Sequence, residues 1–182
     1  MKVLLGVTGG IAAYKACDVA RRLMDEGADV KVVMTDSAQR FVTKLTLQVL
    51  SGNPVATSLF DVDDPEIEHI KLARWPDVIC VAPGTANTLA RFAHGLADDL
   101  LSTIWLASKP EVPVVIAPAM NTVMWEAPPV QRNLSMLRET GRVTFVEPAE
   151  KTLACGETGT GALAEVPDIV AAVTAAAANS QG

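Results

Sequence analysis

Five short aliphatic runs, each bounded by small or polar residues and each separated from the next by enough chain for a helix, constrain this sequence most. Val3 to Val7 leads into Gly9 and Gly10, Asp29 to Met34 centres on VKVV, Asp77 to Ala82 reads DVICVA, Val114 to Ala117 reads VVIA, and Arg142 to Val146 follows. Runs of β-branched residues without polar alternation are strands covered on both faces. Such strands require helices above and below the sheet, joined by right-handed crossovers. The intervening segments supply them. Ala12 to Met24 reads as a helix ending at Gly27, Ser37 to Leu50 as a second with a stop near Gly52, and a third starts at about Ala86. A terminal Ala-rich helix runs from Asp168, with Pro167 suited to its first turn. Asn53 to Arg74 reads as a looser acidic stretch.

The pattern predicts a single-domain α/β chain over residues 1–182, a doubly wound parallel sheet of the Rossmann-like, flavodoxin-like kind with helices on both faces. Fifteen Lys and Arg against 21 Asp and Glu leave a net charge of −6. That argues against duplex nucleic acid or an anionic membrane as partner, while a local phosphate pocket stays open. Hydrophobic residues make up 49% of the chain but aromatics only 4%, so the apolar surplus is Ala, Val and Leu and is expected to meet a partner surface. No apolar run reaches the roughly 18 to 20 residues of a membrane span. MKVLLGVTGGIAAYK is broken by glycines and Lys15 and reads as strand, turn and helix rather than a secretory signal, so the cytoplasm is the expected location. Cys17, Cys80 and Cys155 are odd in number and lack CxxC spacing, so neither a disulfide framework nor a metal site is expected.

Ligands of open α/β sheets bind beyond the carboxyl ends of the strands. Here those ends are Thr8 to Ile11, Thr35 to Ser37, Pro83 to Thr88 and Pro118 to Trp125. The turn GVTGGIAAYK places Gly9 and Gly10 before a helix start, where unpaired amides together with Thr8 can hold a phosphate. It has neither GxGxxG nor P-loop spacing, and taken alone it reads equally as a tight turn. Thr35 and Ser37, and Thr85 to Thr88 with Ala86 and Asn87 between them, are each helix-cap residues taken singly. Together they favour a phosphorylated cofactor held by neutral donors, which is compatible with the acidic net charge.

Three further segments carry chemistry or its bland equivalent. His69 in EIEHIKLARW is either a base or an exposed structural histidine, and His94 sits inside a helix ending at Gly95. Asn121 in PAMNTVMW is either an Asx turn or a neutral amide donor to a carboxylate. A neutral donor suits decarboxylation, where strong ground-state stabilisation of the carboxylate opposes its loss. LACGETGTGALAE is either a surface loop or a glycine flap that delivers the Cys155 thiol.

GVTGGIAAYK, HIKLARWPDVICVAPGTANTLAR, PAMNTVMW and ACGETGTGALAE, in this order, resemble the flavin-dependent cysteine decarboxylases from Lys2 to about Val173. The resemblance implies FMN, bound by Thr8, Gly9, Gly10 and Ile11, by Thr35 and Ser37, by Thr85, Ala86, Asn87 and Thr88, and by the backbone near Ala119. It implies His69 as base, Asn121 as holder of the substrate carboxylate with Met124 beside it, and Cys155 as acid. Gly159, Gly161 and Ala162 would belong to a flap closing over the substrate. The implied substrate is the small molecule 4′-phosphopantothenoylcysteine, taken through a thioaldehyde and an enethiolate to 4′-phosphopantetheine, in a net redox-neutral reaction whose difficult chemistry the flavin carries. Members assemble as trimers, some built up into dodecamers, with FMN at a subunit boundary. This implies a homo-oligomer whose apolar surplus lines subunit interfaces. A fused phosphopantothenate–cysteine ligase domain in a longer parent protein is a further implied partner.

The flap departs from many bacterial members, which read GxGRMxE where this chain has Ala162 and Leu163, closer to the GxGAMAE form of plants. Two other readings stand beside the first: a peptidyl-cysteine decarboxylase, and a non-catalytic flavin-binding regulatory subunit. Cys155 in ACG favours the small-molecule enzyme. PAMNxxMW and ACGxxGxG argue against a flavin prenyltransferase, which shares the fold.

Overall fold

The computed structural model describes residues 1–60, 68–152 and 158–179. Six strands form one sheet: β1 (Lys2–Val7), β2 (Asp29–Met34), β3 (Val55–Ala56), β4 (Val78–Gly84), β5 (Val114–Pro118) and β6 (Val143–Phe145). Their order is β3-β2-β1-β4-β5-β6, with every pairing parallel. Of the two common doubly wound orders, this is the Rossmann arrangement, with its switch point between β1 and β4. The register sets Leu5 opposite both Val32 and Cys80.

Alternate residues of these strands face opposite layers, as a pleat requires. Val3, Leu5, Val7, Cys80 and Val115 enter one apolar cluster with Ala16, Val19, Ala20 and Leu23 of α1 (Ala16–Asp25) and with Ile169, Val170 and Val173 of α8 (Val166–Asn179). Leu4, Val33, Ile79, Val81 and Ile116 enter the other. Its helical side is Leu89 and Phe92 of α4 (Ala86–His94), Leu101, Ile104 and Trp105 of α5 (Leu100–Ala107), and Leu134 and Leu137 of α7 (Pro128–Glu139). The α1 stripe at spacings of three and four is the helical period made visible. Leu4 is fully buried, and its truncation to Ala would cost about 2–5 kcal/mol.

Several boundaries differ from the sequence reading. The stretch expected as one helix from Ala12 opens with a tight helical turn, Ile11–Lys15, before α1 begins. The one expected from Ser37 splits into a turn, Ala38–Arg40, and α2 (Lys44–Ser51), because the Thr43 side chain accepts from the Thr46 amide at 3.1 Å and starts a new helix. The stretch expected as loose holds the edge strand β3 and α3 (Glu68–Arg74), which packs against α5. The glycine segment expected as a flap supplies, in its described part, β8 (Thr158–Ala162), which pairs antiparallel with the preceding β7 (Ala149–Thr152). A short helix, α6 (Thr122–Glu126), follows β5 and contacts β8. Among the described residues no helix is long and apolar enough to cross a membrane.

Candidate active site

Because β2 and β3 wind to one side of β1 while β5 and β6 wind to the other side of β4, a crevice opens where the carboxyl ends of β1 and β4 part. Thr8 ties those ends together. Its buried hydroxyl donates to the Pro83 carbonyl at 2.6 Å and accepts from the Thr85 amide at 3.2 Å. The next residue allows no side chain, since a Cβ on Gly9 would lie 2.3 Å from Ser37 Cβ and 2.7 Å from its carbonyl carbon. The loops after β1 and β2 therefore touch backbone to backbone. Gly10 is different: a Cβ there would meet only Thr85 Cγ2, at 3.7 Å, and would occupy open space beside the cavity.

A cavity of about 840 Å³ fills this crevice, within the roughly 300 to 1,000 Å³ usual for small-molecule sites. From the β1 end it is lined by Gly9, Gly10 and Ile11, from the β2 end by Thr35 and Ser37, and from the β4 end by Thr85, Ala86, Asn87 and Thr88. Ala119, Asn121 and Met124 line it from beyond β5, and Gly161 and Ala162 from β8. Gly10, Ser37 and Thr85 each precede a helical turn; neither the Ser37 nor the Thr85 side chain caps its own turn, while the Thr35 hydroxyl accepts from the Ala38 amide at 3.3 Å. The helix starts after Gly10 and Thr85 leave first-turn amides without an intrahelical acceptor beside one space, with the Thr85 and Thr88 hydroxyls 3.2 Å apart next to them. That neutral donor set matches the oxygens of a phosphate.

Charge lies farther along the same wall. Arg91, three residues after Thr88 on α4, donates from Nε and from Nη2 to the two carboxylate oxygens of Asp98, each at 3.1 Å. Its Nη1 donates to Asp99 Oδ2. The other Asp99 oxygen caps α5, accepting from the Ser102 amide and hydroxyl at 2.7 Å each. All three residues line the cavity, as do Lys15 and Asp36. The sequence reading missed them, although the three-residue step from Thr88 to Arg91 was a usable signal.

At the opposite side Asn121 is the N-cap of α6, its Oδ1 accepting from the Met124 amide at 3.2 Å, which fixes the plane of the side-chain amide. The Met120 amide donates to the Gly161 carbonyl at 2.9 Å and so joins this loop to the flap. Gly161 has φ +150, and a Cβ there would lie 2.3 Å from the Met120 carbonyl oxygen, so only glycine permits this approach. Gly159 rests on Thr122 rather than on the cavity.

Not every expected residue meets here. Thr8 braces the crevice from behind, and His69, half-buried in the first turn of α3, is not among the residues lining the cavity of a single chain. Cys155 lies outside the described residues. His94 is structural, its Nε2 lying 3.1 Å from Asn133 Oδ1. Cys80 is buried in β4, and desolvation pushes its thiol up to about 12, which keeps it protonated at neutral pH. Cys17 is shifted upward too, by burial first and by Asp18 second.

Residues 1–178 match the model of the flavoprotein family. The chain belongs to that family. This flavoprotein is 47% identical over 170 residues to a Streptococcus mutans protein named "probable phosphopantothenoylcysteine decarboxylase", covering 93% of this chain and 94% of that one. It is 51% identical over 169 residues to the coenzyme A biosynthesis bifunctional protein CoaBC of Bacillus subtilis, covering 92% of this chain and spanning 41% of that longer protein. Among solved structures it resembles a cysteine-to-serine mutant of PPC decarboxylase complexed with pantothenoylaminoethenethiol, with a TM-score of 0.83, 38% identity and 96% of each chain covered. It also resembles the FMN binding protein AtHal3, with a TM-score of 0.80, 39% identity, and coverage of 96% of this chain and 95% of that one.

Proposed function

We propose that this flavoprotein uses FMN to decarboxylate 4′-phosphopantothenoylcysteine to 4′-phosphopantetheine, a step of coenzyme A biosynthesis. The observation that carries the reading is one cavity holding both a neutral phosphate cradle at the switch point and, across from it, an asparagine amide locked by its own cap beneath a glycine flap. The names of the relatives point the same way.

The residues present fit FMN: the open side of Gly10, the Ser37 hydroxyl and the helix start at Thr85 would hold its phosphate, and the cavity wall at Ala119 would complete the site. When bound, FMN supplies a reversible acceptor for the two electrons of the substrate's CH₂–SH unit, which gives the carbon bearing the carboxylate an electron sink. Asn121 orients the carboxylate. Being neutral, it holds that group without the ionic attraction that would resist CO₂ release. His69 is the base for the thiol proton, and Cys155 returns a proton to the carbon. The flap, through Gly161 and Ala162, closes the site against water.

A homo-oligomer, a trimer or a dodecamer built of trimers, follows from this assignment. His69 stands off the cavity of its own chain, while Ile11 and Tyr14 on the cavity rim are 63% and 57% exposed. A second copy would cover that rim and bring a histidine to it. Residues 1–182 act as the decarboxylase domain in the cytoplasm, and in a longer parent protein the neighbour would be a phosphopantothenate–cysteine ligase.

A peptidyl-cysteine decarboxylase is the second reading; likeness to the FMN-dependent cysteine decarboxylase SpaF, with a TM-score of 0.85 and 32% identity over 100% of this chain and 98% of that one, supports the shared cysteine decarboxylase chemistry and leaves the substrate to the assay. The purified protein is expected to absorb near 450 nm with about one FMN per chain, and to turn over 4′-phosphopantothenoylcysteine. Turnover of a C-terminal cysteine peptide alone would overturn the first reading in favour of the second.

A further inference from the structure

The flap rests on a hydroxyl that has no hydrogen-bond partner among the described residues. Thr122 is the first residue of α6, directly after Asn121, and its Oγ1 is buried and unpaired among the described residues. The cover is β8: a Cβ on Gly159 would lie 2.5 Å from that oxygen, 3.1 Å from Thr122 Cγ2 and 3.3 Å from Thr122 Cβ. Two residues on, the Gly161 carbonyl takes the Met120 amide at 2.9 Å. The strand therefore lies flat across residues 120–122, the loop that presents Asn121.

Helix α6 does not need the Thr122 hydroxyl, since Asn121 already caps it through the Met124 amide. Packing alone would be served by valine, which has the same branched shape. A hydroxyl there has one distinct effect. With the flap down it is stripped of water and receives nothing in exchange; with the flap lifted, water reaches it.

We propose that Thr122 is a positioning residue whose buried, unpaired hydroxyl keeps the flap from locking down over Asn121. The hydroxyl opposes the docked state and so shifts the balance toward lifting, by about tenfold for a desolvated hydroxyl left unpaired. Enclosure of a substrate and release of a product draw on that one balance, and lid opening commonly limits turnover. The catalytic side of this inference rests on the decarboxylase reading; the flap equilibrium does not.

The test is hydrogen exchange on the FMN-loaded protein, following the Met120 amide, whose acceptor belongs to the flap, and the amides of β8. Thr122→Val is expected to slow their exchange about tenfold, Thr122→Ala to slow it in the same direction, and Thr122→Ser to leave it as in the unaltered protein. With 4′-phosphopantothenoylcysteine as substrate, the Val variant should show KM and kcat falling together, while Ser restores both. Should Val disturb the fold, as circular dichroism and flavin absorbance would reveal, Ala carries the comparison. Unchanged or faster exchange in the variants that lack the hydroxyl would overturn the inference. Slowed exchange in a protein that never turns over the substrate would instead overturn the decarboxylase reading and leave the flap role standing.

Discussion

The two ends of the cavity are built by different means. At the switch point the lining follows directly from core strands, and Thr8, buried and bonded to both Pro83 and Thr85, ties the ends of β1 and β4 into one rigid corner. At the other end Asn121 caps a five-residue helix with no buried residue, held against a two-stranded sheet outside the main one. Close backbone approach makes both ends, Gly9 against Ser37 at one and Gly161 against Met120 at the other. The lesson is that similar glycine contacts join a buried corner in one place and a surface strand in the other. On the proposed reading, one would fix a cradle that must not change when a phosphate enters, and the other would let a surface strand settle and lift.

If that division holds, damage at the flap end should appear in turnover, and damage at the cradle end in cofactor loading and stability. The largest effect is expected from Asn121→Asp. Aspartate caps α6 as well as asparagine does, so thermal unfolding and flavin content should be unchanged, while a charge facing the substrate carboxylate lowers kcat on the order of 10²–10³-fold. A matching loss of flavin would break the comparison. Next comes Gly161→Ala, whose Cβ would lie 2.3 Å from the Met120 carbonyl oxygen at φ +150. The flap then cannot dock, and kcat/KM should fall by tens of fold, measured by steady-state kinetics, with little change in melting temperature because few core contacts are involved.

The same division explains what could be read from the sequence. Strands β1, β2, β4 and β5 announce themselves because burial on both faces demands unbroken aliphatic runs, and the helix stops at Gly27, Gly52 and Gly95 fall where expected. β3 was not visible: two residues, Val55 and Ala56, are too few to show a period. The switch-point residues could be found because strand ends in this architecture are binding positions whatever the ligand. Arg91, Asp98 and Asp99 were missed because their meeting depends on the turn between α4 and α5, although Asp99 followed three residues later by Ser102 is a cap signal. That His69 does not line its own chain's cavity could not be read from the sequence, since its placement depends on how α3 packs against α5 and not on any spacing along the chain.

At the cradle end, Gly9→Ala tests the rigid contact. Its Cβ would lie 2.7 Å from the Ser37 carbonyl carbon, a backbone atom, so the loops after β1 and β2 must separate. Stability should drop by about 1–3 kcal/mol in denaturant titrations, and FMN affinity by about tenfold in fluorescence titration. Full FMN affinity in the variant would show that the cradle tolerates movement and would remove the contrast with the flap.

The smallest effect should come from Cys80, in the strand that forms the cradle's base. Its neighbours in register are Leu5 and Val115, so the thiol lies between apolar residues with no water to solvate a thiolate. Burial raises its pKa from 9.0 to about 12. In the unfolded chain the thiol ionises near 9, while in the folded chain it keeps its proton, so between those values the native state binds more protons and stability falls as pH rises. The contribution is intact below pH 9 and is gone by about pH 12. Between pH 9 and 10 the loss should be about 1 kcal/mol. Other groups titrate in this range, so the measurement is the difference between the unaltered protein and Cys80→Ala, which should lose less stability over the same step. If the two stability curves ran parallel from pH 8 to 10, water would be reaching the centre of β4, and the cradle's base would not be the rigid element that sets it apart from the flap.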